Sequence, residues 1–371
     1  KERGKSAKMI ASSPRFYPIT PNIRQVDAFN AYTAGCGHAF ATSSGFPKNW
    51  RNRRAFICGP TGNLLGMYDM QSKDSGYEAT NTFSFVASAD EWFSPIVAEV
   101  GPDGNLWMAD WYNFIIQHNP TPNKGRAGYD AKNGRGNAHI NPNRDRQHGR
   151  IYRVVYEKHD SKALKLDTTK HLHAEDLVKA LSHDNLFWRQ TAQRLLVDNK
   201  RTDAIDALKT LTTKSGHGAI HALWTLKGLN ALDQKTHAAA LINPSAELRR
   251  NALRALDTGK TDATMLYDSA TLADKDLQVR LVAFSKLASL PESDDHKKTA
   301  SLLMQQPENA KDEWLRAALQ ATGAAELNIV GYKRGPNLLP NASFEEVGNN
   351  QLPANWTIRT YSRRNPDLKH T

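Results

Sequence analysis

Cysteine is scarce in this sequence, which contains only Cys36 and Cys58 among its 371 residues. Neither a CxxC nor a CxxCH motif occurs, which excludes a zinc ribbon and a c-type haem attachment site within this chain. The two cysteines stand in strand-like surroundings, one short hairpin apart. A disulfide between them would indicate an oxidising compartment, and two buried free thiols are the other interpretation, so both stay open.

Long apolar segments are also missing. No run reaches the length of a membrane span, and no signal-peptide core is visible. Because the sequence begins at Lys1 and its first methionine is Met9, we expect the natural start to lie upstream. The net charge is +11, but lysine and arginine are spread along the chain without a long basic run, so no nucleic-acid partner is expected.

Short strands and turns fill residues 16–156. Residues 96–100, a Gly-Pro-Asp-Gly turn at 101–104 and residues 105–109 together predict a hairpin. An apolar run at 55–58 and an alternating run at 82–86 predict two further strands. Several short strands with regular turn punctuation are typical of a sandwich, a barrel or a propeller.

A helical pattern replaces the strands from about residue 167 to 322. A bulky apolar residue, an arginine, two variable residues and a small or apolar residue recur at intervals near 30 residues. The copies begin at Trp188, Leu248, Val279 and Leu315, with a weaker copy at Ile220, where His221 takes the place of the arginine. Such a period predicts stacked two-helix repeats, each of which needs its neighbours to bury its apolar stripe.

Polar residues precede several of these helices and are predicted to cap them, among them Asn185, Ser245 and Asp276. His217 and His221 share one helix face through their i, i+4 spacing, but no third ligand is near in sequence. We therefore interpret them as residues of a solvated or core helix face and not as a metal site.

The strand region resembles a known enzyme family at specific motifs. Residues 35–40, 46–52 and 55–58 resemble a blade of the soluble quinoprotein sugar dehydrogenases, with a Phe-Pro loop and a Trp-Arg turn between strands. Residues 100–107 and 148–154 continue this likeness. Residues 87–95 and 109–113 are similar to the sorbosone dehydrogenase-like, membrane-bound dehydrogenase family of planctomycetes and verrucomicrobia, whose members join a propeller to HEAT repeats.

The resemblance and the periodicities together predict a multidomain chain. Residues 1–160 are expected to form the C-terminal blades of a β-propeller, and residues 161–325 an α-α superhelix of HEAT-like repeats. After Gly323 the helical pattern stops, and a turn-rich stretch at 335–341 precedes a strand candidate at 355–358. Residues 326–371 are therefore expected to begin a β-sandwich of the jelly-roll type, which would bind carbohydrate.

The resemblance also implies a chemistry, the oxidation of sugars. In that family a histidine base takes the proton, pyrroloquinoline quinone takes the hydride and calcium polarises the quinone. Arginines on the strand before the Gly-Pro-Asp-Gly turn hold the quinone carboxylates. Here Ile96 and Ala98 stand at those two positions, so calcium is the expected cofactor, the replaced arginines argue against the quinone, and no haem motif is present.

A polar cluster after the predicted inner strand is the predicted substrate site. It consists of Asp110, Trp111, Tyr112 and Asn113, joined by Arg24, because carboxylate and amide oxygens suit sugar hydroxyls. The structural alternative is that Asp110 caps a turn while Trp111 packs between sheets.

Candidate metal ligands and catalytic histidines complete the predicted chemistry. Asp103 and Asp110 are the predicted oxygen ligands of calcium. His38 and His118 are the candidate catalytic histidines, although each is also an ordinary surface or strand residue.

Two functions are consistent with these features. The first is an extracytoplasmic oxidoreductase, periplasmic or secreted, that acts on a sugar-like substrate and passes electrons to a cytochrome. The second is a catalytically inactive scaffold that binds glycan or, through its helical repeats, a protein partner. The replaced arginines favour the second, and the sugar-dehydrogenase motifs favour the first.

Overall fold

The computed structural model of the chain describes residues 17–19, 32, 35–113, 147–158 and 173–323. Strands occupy the first part of this range and helices the second. The strands are β1 (Cys36–Phe40), β2 (Arg54–Gly59), β3 (Leu64–Lys73), β4 (Gly76–Ala87), β5 (Pro95–Val100), β6 (Leu106–Asp110) and β7 (Arg150–Val154). The helices are α1 (Ala174–Ala180), α2 (Leu186–Asp198), α3 (Ile205–Thr212), α4 (His217–Gly228), α5 (Gln234–Leu241), α6 (Ala246–Ala255), α7 (Lys260–Asp268), α8 (Leu277–Ser289), α9 (Asp294–Met304), α10 (Pro307–Lys311) and α11 (Glu313–Gln320).

Two antiparallel sheets share one apolar core. The first has the order β1-β2-β3-β4 and the second the order β5-β6-β7, so each strand pairs with its neighbours in sequence. The core between them contains Phe56 and Met67 from the first sheet and Leu106 and Met108 from the second, all of them buried. In β6 alternate residues point to this core, whereas residues 64–69 of β3 are all buried, because a second cluster around Tyr68 covers the other face of the first sheet.

The backbones of β1 and β5 approach each other closely at Gly37. A Cβ atom at this position would lie 2.3 Å from the carbonyl oxygen of Ile96 and 2.5 Å from the Cα of Val97. The pairing of β1 with β2 is irregular here, since Cys36 pairs with Cys58 but His38 pairs with Ile57. Gly37 is therefore the extra residue of a bulge that lets the two sheets meet.

The predicted blades of a β-propeller are wrong. Within residues 35–113 and 147–158 the strands form one four-stranded and one three-stranded antiparallel sheet, and these do not close into a ring. The physical reason is that short strands with regular turns are equally compatible with any small antiparallel arrangement. The predicted start of a β-sandwich at 326–371 lies outside the described residues, and the described part of 161–325 is helical.

Side-chain caps start several of the helices. Asn185 accepts a hydrogen bond from the Phe187 N–H at the start of α2, and Ser245 accepts one from Leu248 in α6. These helices begin where a polar side chain satisfies an N–H group that has no partner within the helix. The apolar faces of the helices form two cores, one that extends from Ala174 to Leu226 and one that extends from Ala219 to Leu319, and α4 contributes to both.

The arginine of the recurring motif has one structural role. In α2, α6, α8 and α11 its guanidinium donates to the carbonyl oxygen of the residue six positions earlier, at 2.6 to 3.1 Å. The four arginines are Arg189, Arg249, Arg280 and Arg316. Three of them also reach the next repeat, because Arg189 donates to His221, Arg249 pairs with Asp274, and Arg280 pairs with Glu308 and Asn309. The motif therefore ties each helix to its preceding loop and, in these three cases, to the following repeat.

The N-terminal ends of four helices form hydrogen bonds with turns of the two sheets. Asn185 and Trp188, at the start of α2, donate to the carbonyl oxygens of Gly101 and Pro102 in the β5–β6 turn. At the β3–β4 turn, Gln278 of α8 donates to the carbonyl oxygen of Gly76. Arg250 of α6 and Asp312, the cap of α11, contact the same turn through Tyr77 and Ser75. We call these contacts the sheet–helix interface.

Candidate functional site

Asp110, at the end of β6, organises the predicted substrate site. Its Oδ1 accepts hydrogen bonds from the backbone N–H groups of Ser94 and Tyr112, at 2.7 and 2.8 Å. Ser94 in turn donates through its hydroxyl to the carbonyl oxygen of Asn113 at 2.7 Å. These bonds join the end of β6 to the segment before β5, so Asp110 sets the shape of the backbone here.

The second carboxylate oxygen of Asp110 has no such role. Oδ2 is buried and has no hydrogen-bond partner among the described residues. Burial raises the pKa of this carboxyl, while the two backbone N–H groups and the nearby Arg150 oppose the rise. Asp110 Oδ2 is therefore an acceptor without a hydrogen bond among the described residues, and Arg150 is close enough to act on this carboxylate electrostatically.

Aromatic rings and one guanidinium stack next to this carboxylate. The Arg150 Cζ lies 3.5 Å from the ring centroid of Tyr112, and the Trp92 ring centroid lies 5.9 Å from the same ring. Arg150 starts β7 and pairs across the strands with Asp110. Tyr112 has a φ of 50°, a left-handed backbone conformation that is energetically unfavourable for residues other than glycine. This conformation places the Tyr112 ring against the guanidinium of Arg150.

Arg150 also contacts a second carboxylate. Its Nη1 lies 3.4 Å from Asp90 Oδ2 and 3.4 Å from the Tyr152 hydroxyl, and the Arg150 side chain stays 44% exposed. The other Asp90 oxygen accepts from the Trp92 N–H. We call the group made of Asp90, Trp92, Asp110, Tyr112 and Arg150 the Arg150 cluster. At the surface it presents the guanidinium of Arg150 and the carboxylate of Asp90, whereas Asp110 is buried.

Trp111 lies beside the cluster and is 39% exposed, so it does not pack between the sheets. Its backbone N–H donates to the Ser94 carbonyl oxygen, which fixes the turn that carries the ring. Asn113 is buried. Of the predicted substrate residues, the structure thus brings Asp110, Trp111, Tyr112 and Asn113 to one place, while Arg24 lies outside the described residues.

Asp103 lies at the other end of β6. Although burial alone would raise the pKa of its carboxyl, hydrogen bonds from Asn105 and Trp107 hold that pKa below its usual range. Oδ1 accepts from the Asn105 N–H and the Trp107 indole, and Oδ2 from the Asn105 amide and, at 3.4 Å, from Arg153. These bonds stabilise the β5–β6 turn.

The predicted calcium ligands therefore do not meet. Asp103 precedes β6 and Asp110 ends it, and a strand of this length spans about 13 Å at a rise of 3.3 Å per residue. Calcium binds oxygens at about 2.3–2.6 Å, so the two cannot share one ion. Within the part of the chain that the structure describes, no group of three or more His, Cys, Asp or Glu side chains is placed to hold a metal ion.

The remaining predicted positions are His38, His118, Ile96 and Ala98. His38 is exposed on β1, and His118 lies outside the described residues. Ala98 is buried in the core between the sheets, and Ile96 lies on β5. Both side chains are apolar, so neither can bind a carboxylate as an arginine would.

Arg150, Asp90 and Trp92 are the site residues that sequence reasoning did not select. Arg150 is 40 positions from Asp110 in sequence, and only the β6–β7 pairing makes them neighbours. Asp90 and Trp92 precede β5 and reach the site because β5 pairs with β6. No local spacing in the sequence indicates these contacts.

Comparison with known proteins adds one finding. A family model described as "Domain of unknown function (DUF7133)" matches residues 2–158, which include both sheets and the Arg150 cluster. No curated protein and no solved structure matches this chain. In the described ranges, no helix has both the length and the apolar character needed to cross a bilayer.

Proposed function

We propose that this chain is a non-catalytic scaffold that binds carbohydrate at the Arg150 cluster. The observation that carries this proposal is the stack of Arg150 on Tyr112 beside two carboxylates. Adjacent sugar hydroxyls both donate and accept hydrogen bonds, so they match a surface that offers a guanidinium and a carboxylate together. The exposed indole of Trp111 can supply the apolar contact for the C–H side of a sugar ring.

The polar groups of the cluster retain the capacity to bind. Both contacts of Arg150 Nη1 are long, at 3.4 Å, and the side chains of Arg150 and Asp90 remain 44% and 37% exposed. Trp111, which stands between Asp110 and Tyr112 in the same turn, adds an exposed indole. A ligand that covers these groups would strengthen the charged hydrogen bonds by removing water from them.

Binding is favoured over catalysis by the composition of the site. The Arg150 cluster contains no histidine that could act as a base, and Asp110 uses one oxygen to hold the backbone. Sugar oxidation with calcium, and electron transfer to a cytochrome, remain predictions of the resemblance. The sheet–helix interface supports the scaffold role, because the helices support the sheets on which the cluster stands.

A binding experiment with single substitutions tests the proposal. The full chain is screened on an array of neutral and acidic oligosaccharides, and the best ligand is titrated by calorimetry. We expect Arg150→Ala and Trp111→Ala each to weaken binding by about tenfold or more, since each removes a direct contact.

Arg153→Ala is the matched control. Arg153 is on the same strand, is exposed, and stacks on an aromatic ring, since its Cζ lies 5.7 Å from the Trp107 centroid. Its contacts are with Asp103 at the far end of β6, so binding should be unchanged. Failure of the folded wild-type chain to bind any oligosaccharide, or equal affinity in Arg150→Ala and Arg153→Ala, would refute the proposal.

A further inference from the structure

The two cysteines face each other across neighbouring strands. Cys36 of β1 is the direct cross-strand partner of Cys58 of β2. Both side chains belong to the apolar core between the sheets, so they point to the same face of the first sheet. They are free thiols in the structure.

This placement is close to what a disulfide requires. Directly opposite residues on antiparallel strands have Cα atoms about 4.5–5.5 Å apart, and a disulfide spans Cα separations of about 4.4–6.8 Å. The Cβ atoms need to come to within about 3.5–4.5 Å, slightly nearer than an average cross-strand pair.

We propose that Cys36 and Cys58 form a reversible cross-strand disulfide by exchange with a disulfide oxidant. Cys58 is fully buried, whereas Cys36 is partly exposed, so the oxidant meets Cys36 first. The Cys36 thiolate attacks one sulfur of the oxidant, a mixed disulfide forms, and one thiol leaves. The Cys58 thiolate then attacks the Cys36 sulfur and releases the second thiol. The oxidant gains two electrons, and the two cysteine protons end on its two thiols.

Burial of the two thiols slows this exchange by raising their pKa values. It raises the pKa of the Cys36 thiol, and burial together with the nearby Cys36 raises the pKa of Cys58 to about 12. Because only the thiolate attacks, the rate should rise with pH through the range above neutrality.

The bond would form next to the second sheet and the Arg150 cluster. The Cys36 Sγ lies 3.8 Å from the carbonyl oxygen of Pro95 as a weak donor, and Pro95 pairs with Asp110. Oxidation removes the S–H group, so this contact is present only in the reduced protein. The loop closed by the disulfide contains the β1–β2 connection, whose residue Thr42 accepts a hydrogen bond from the N–H of Leu186.

The test is oxidation of the folded chain. The reduced full chain is incubated with oxidised glutathione at pH 8.5 and analysed by intact mass and by peptide mapping. We expect a mass decrease of about 2 Da and a Cys36–Cys58 linked peptide, as the loss of two hydrogens requires. We also expect a melting temperature several degrees higher than that of the reduced chain, since the cross-link restricts the unfolded state.

The urea-unfolded chain is the control for the chemistry. If it forms the link while the folded chain keeps two thiols, stops as a glutathione adduct or dimerises, the proposal is wrong. Cys58→Ser should accumulate one glutathione on Cys36, and Cys36→Ser should stay unmodified while folded. Modification of Cys58 in folded Cys36→Ser would overturn the order of attack. None of these results depends on carbohydrate binding.

Discussion

Asp312 and Ser75 are joined by two hydrogen bonds although they lie 237 positions apart in sequence. Asp312 Oδ2 accepts from the backbone N–H of Ser75 at 2.9 Å, and Oδ1 accepts from its hydroxyl at 2.7 Å. The same Oδ1 accepts from the N–H groups of Trp314 and Leu315, which start α11. One buried carboxylate therefore caps a helix and fastens a β-turn to it.

Asp312→Ala should destabilise the chain by about 3 kcal/mol. A lost helix cap costs about 1 kcal/mol, and a buried N–H left without a partner adds about 1–3 kcal/mol. Ser293→Ala is the matched control, because Ser293 caps α9 through one bond to His296 and has no contact with the sheets. Urea unfolding at pH 7 measures both variants, and equal losses would contradict the double role of Asp312.

Acidification should weaken the contact between α2 and α4. His221 Nε2 accepts from Arg189 Nε at 3.3 Å, and Nδ1 lies 2.7 Å from Gln193 Oε1. Burial first, and then Arg189 and His217, lower the pKa of His221 from 6.5 to about 4. In the unfolded chain His221 therefore binds a proton below pH 6.5, whereas in the native chain it does so only below about pH 4. Stability is complete above pH 6.5 and falls as the pH drops towards 4.

His221→Gln measures this effect directly. We expect the wild-type chain to lose about 2 kcal/mol of unfolding free energy between pH 7 and pH 5 through His221 alone. Burial also lowers the pKa of His217 and His237, so the wild-type loss should be larger than this. The variant should show a loss smaller by about 2 kcal/mol, whereas identical pH profiles would mean that His221 titrates normally.

Arg249→Lys should cost about 3 kcal/mol. The guanidinium forms two bonds to Asp274, at 2.6 and 2.8 Å, and both side chains are at most 10% exposed. A lysine cannot reproduce the planar pair, and the buried carboxylate is left poorly compensated. Arg194→Lys is the control, since Arg194 makes only an exposed pair with Asp198 and should change stability by less than about 0.5 kcal/mol. Similar losses in the two variants would disprove the structural role of the motif.

Gly37→Ala should separate the two sheets. The added Cβ would lie 2.3 Å from a backbone oxygen of β5, which cannot move as a flexible side chain can. We expect a loss of at least about 2 kcal/mol. Gly35→Ala is the control, because its Cβ would meet nothing closer than 3.8 Å. Unfolding curves that coincide for the two variants would show that β1 and β5 are not in close contact.

Local features of the fold could be predicted from the sequence. The strands at 96–100 and 105–109 agree with β5 and β6 to within one residue, because a Gly-Pro-Asp-Gly turn marks their ends. Asn185, Ser245 and Asp276 were predictable caps, because each polar side chain directly precedes an apolar helical period. The prediction of propeller blades was wrong, because periodicity indicates which face of a strand is buried but not how many sheets form or which sheet covers that face.

The candidate site was predictable only in part. Asp110 and Tyr112 are close in sequence and share one turn, so reasoning from spacing finds them together. Arg150 comes near them only through the pairing of β6 with β7. Its position over the Tyr112 ring also depends on the left-handed backbone conformation of Tyr112, which the sequence does not indicate because this residue is not a glycine. Nor could spacing show that Asp103 and Asp110 stand at opposite ends of one strand.

The row of helix ends in the sheet–helix interface has a consequence for how this protein can change in size. A helical array usually gains or loses repeats freely, because each unit contacts only its neighbours. Here the first contact is made by Asn185 and the last by Asp312, and both attach to turns of the same pair of sheets. A duplicated helix pair between them would displace one attachment by roughly the 8–10 Å width of a helix. The fixed distance between these two attachment points on the sheets thus limits the number of helices that can lie between Asn185 and Asp312.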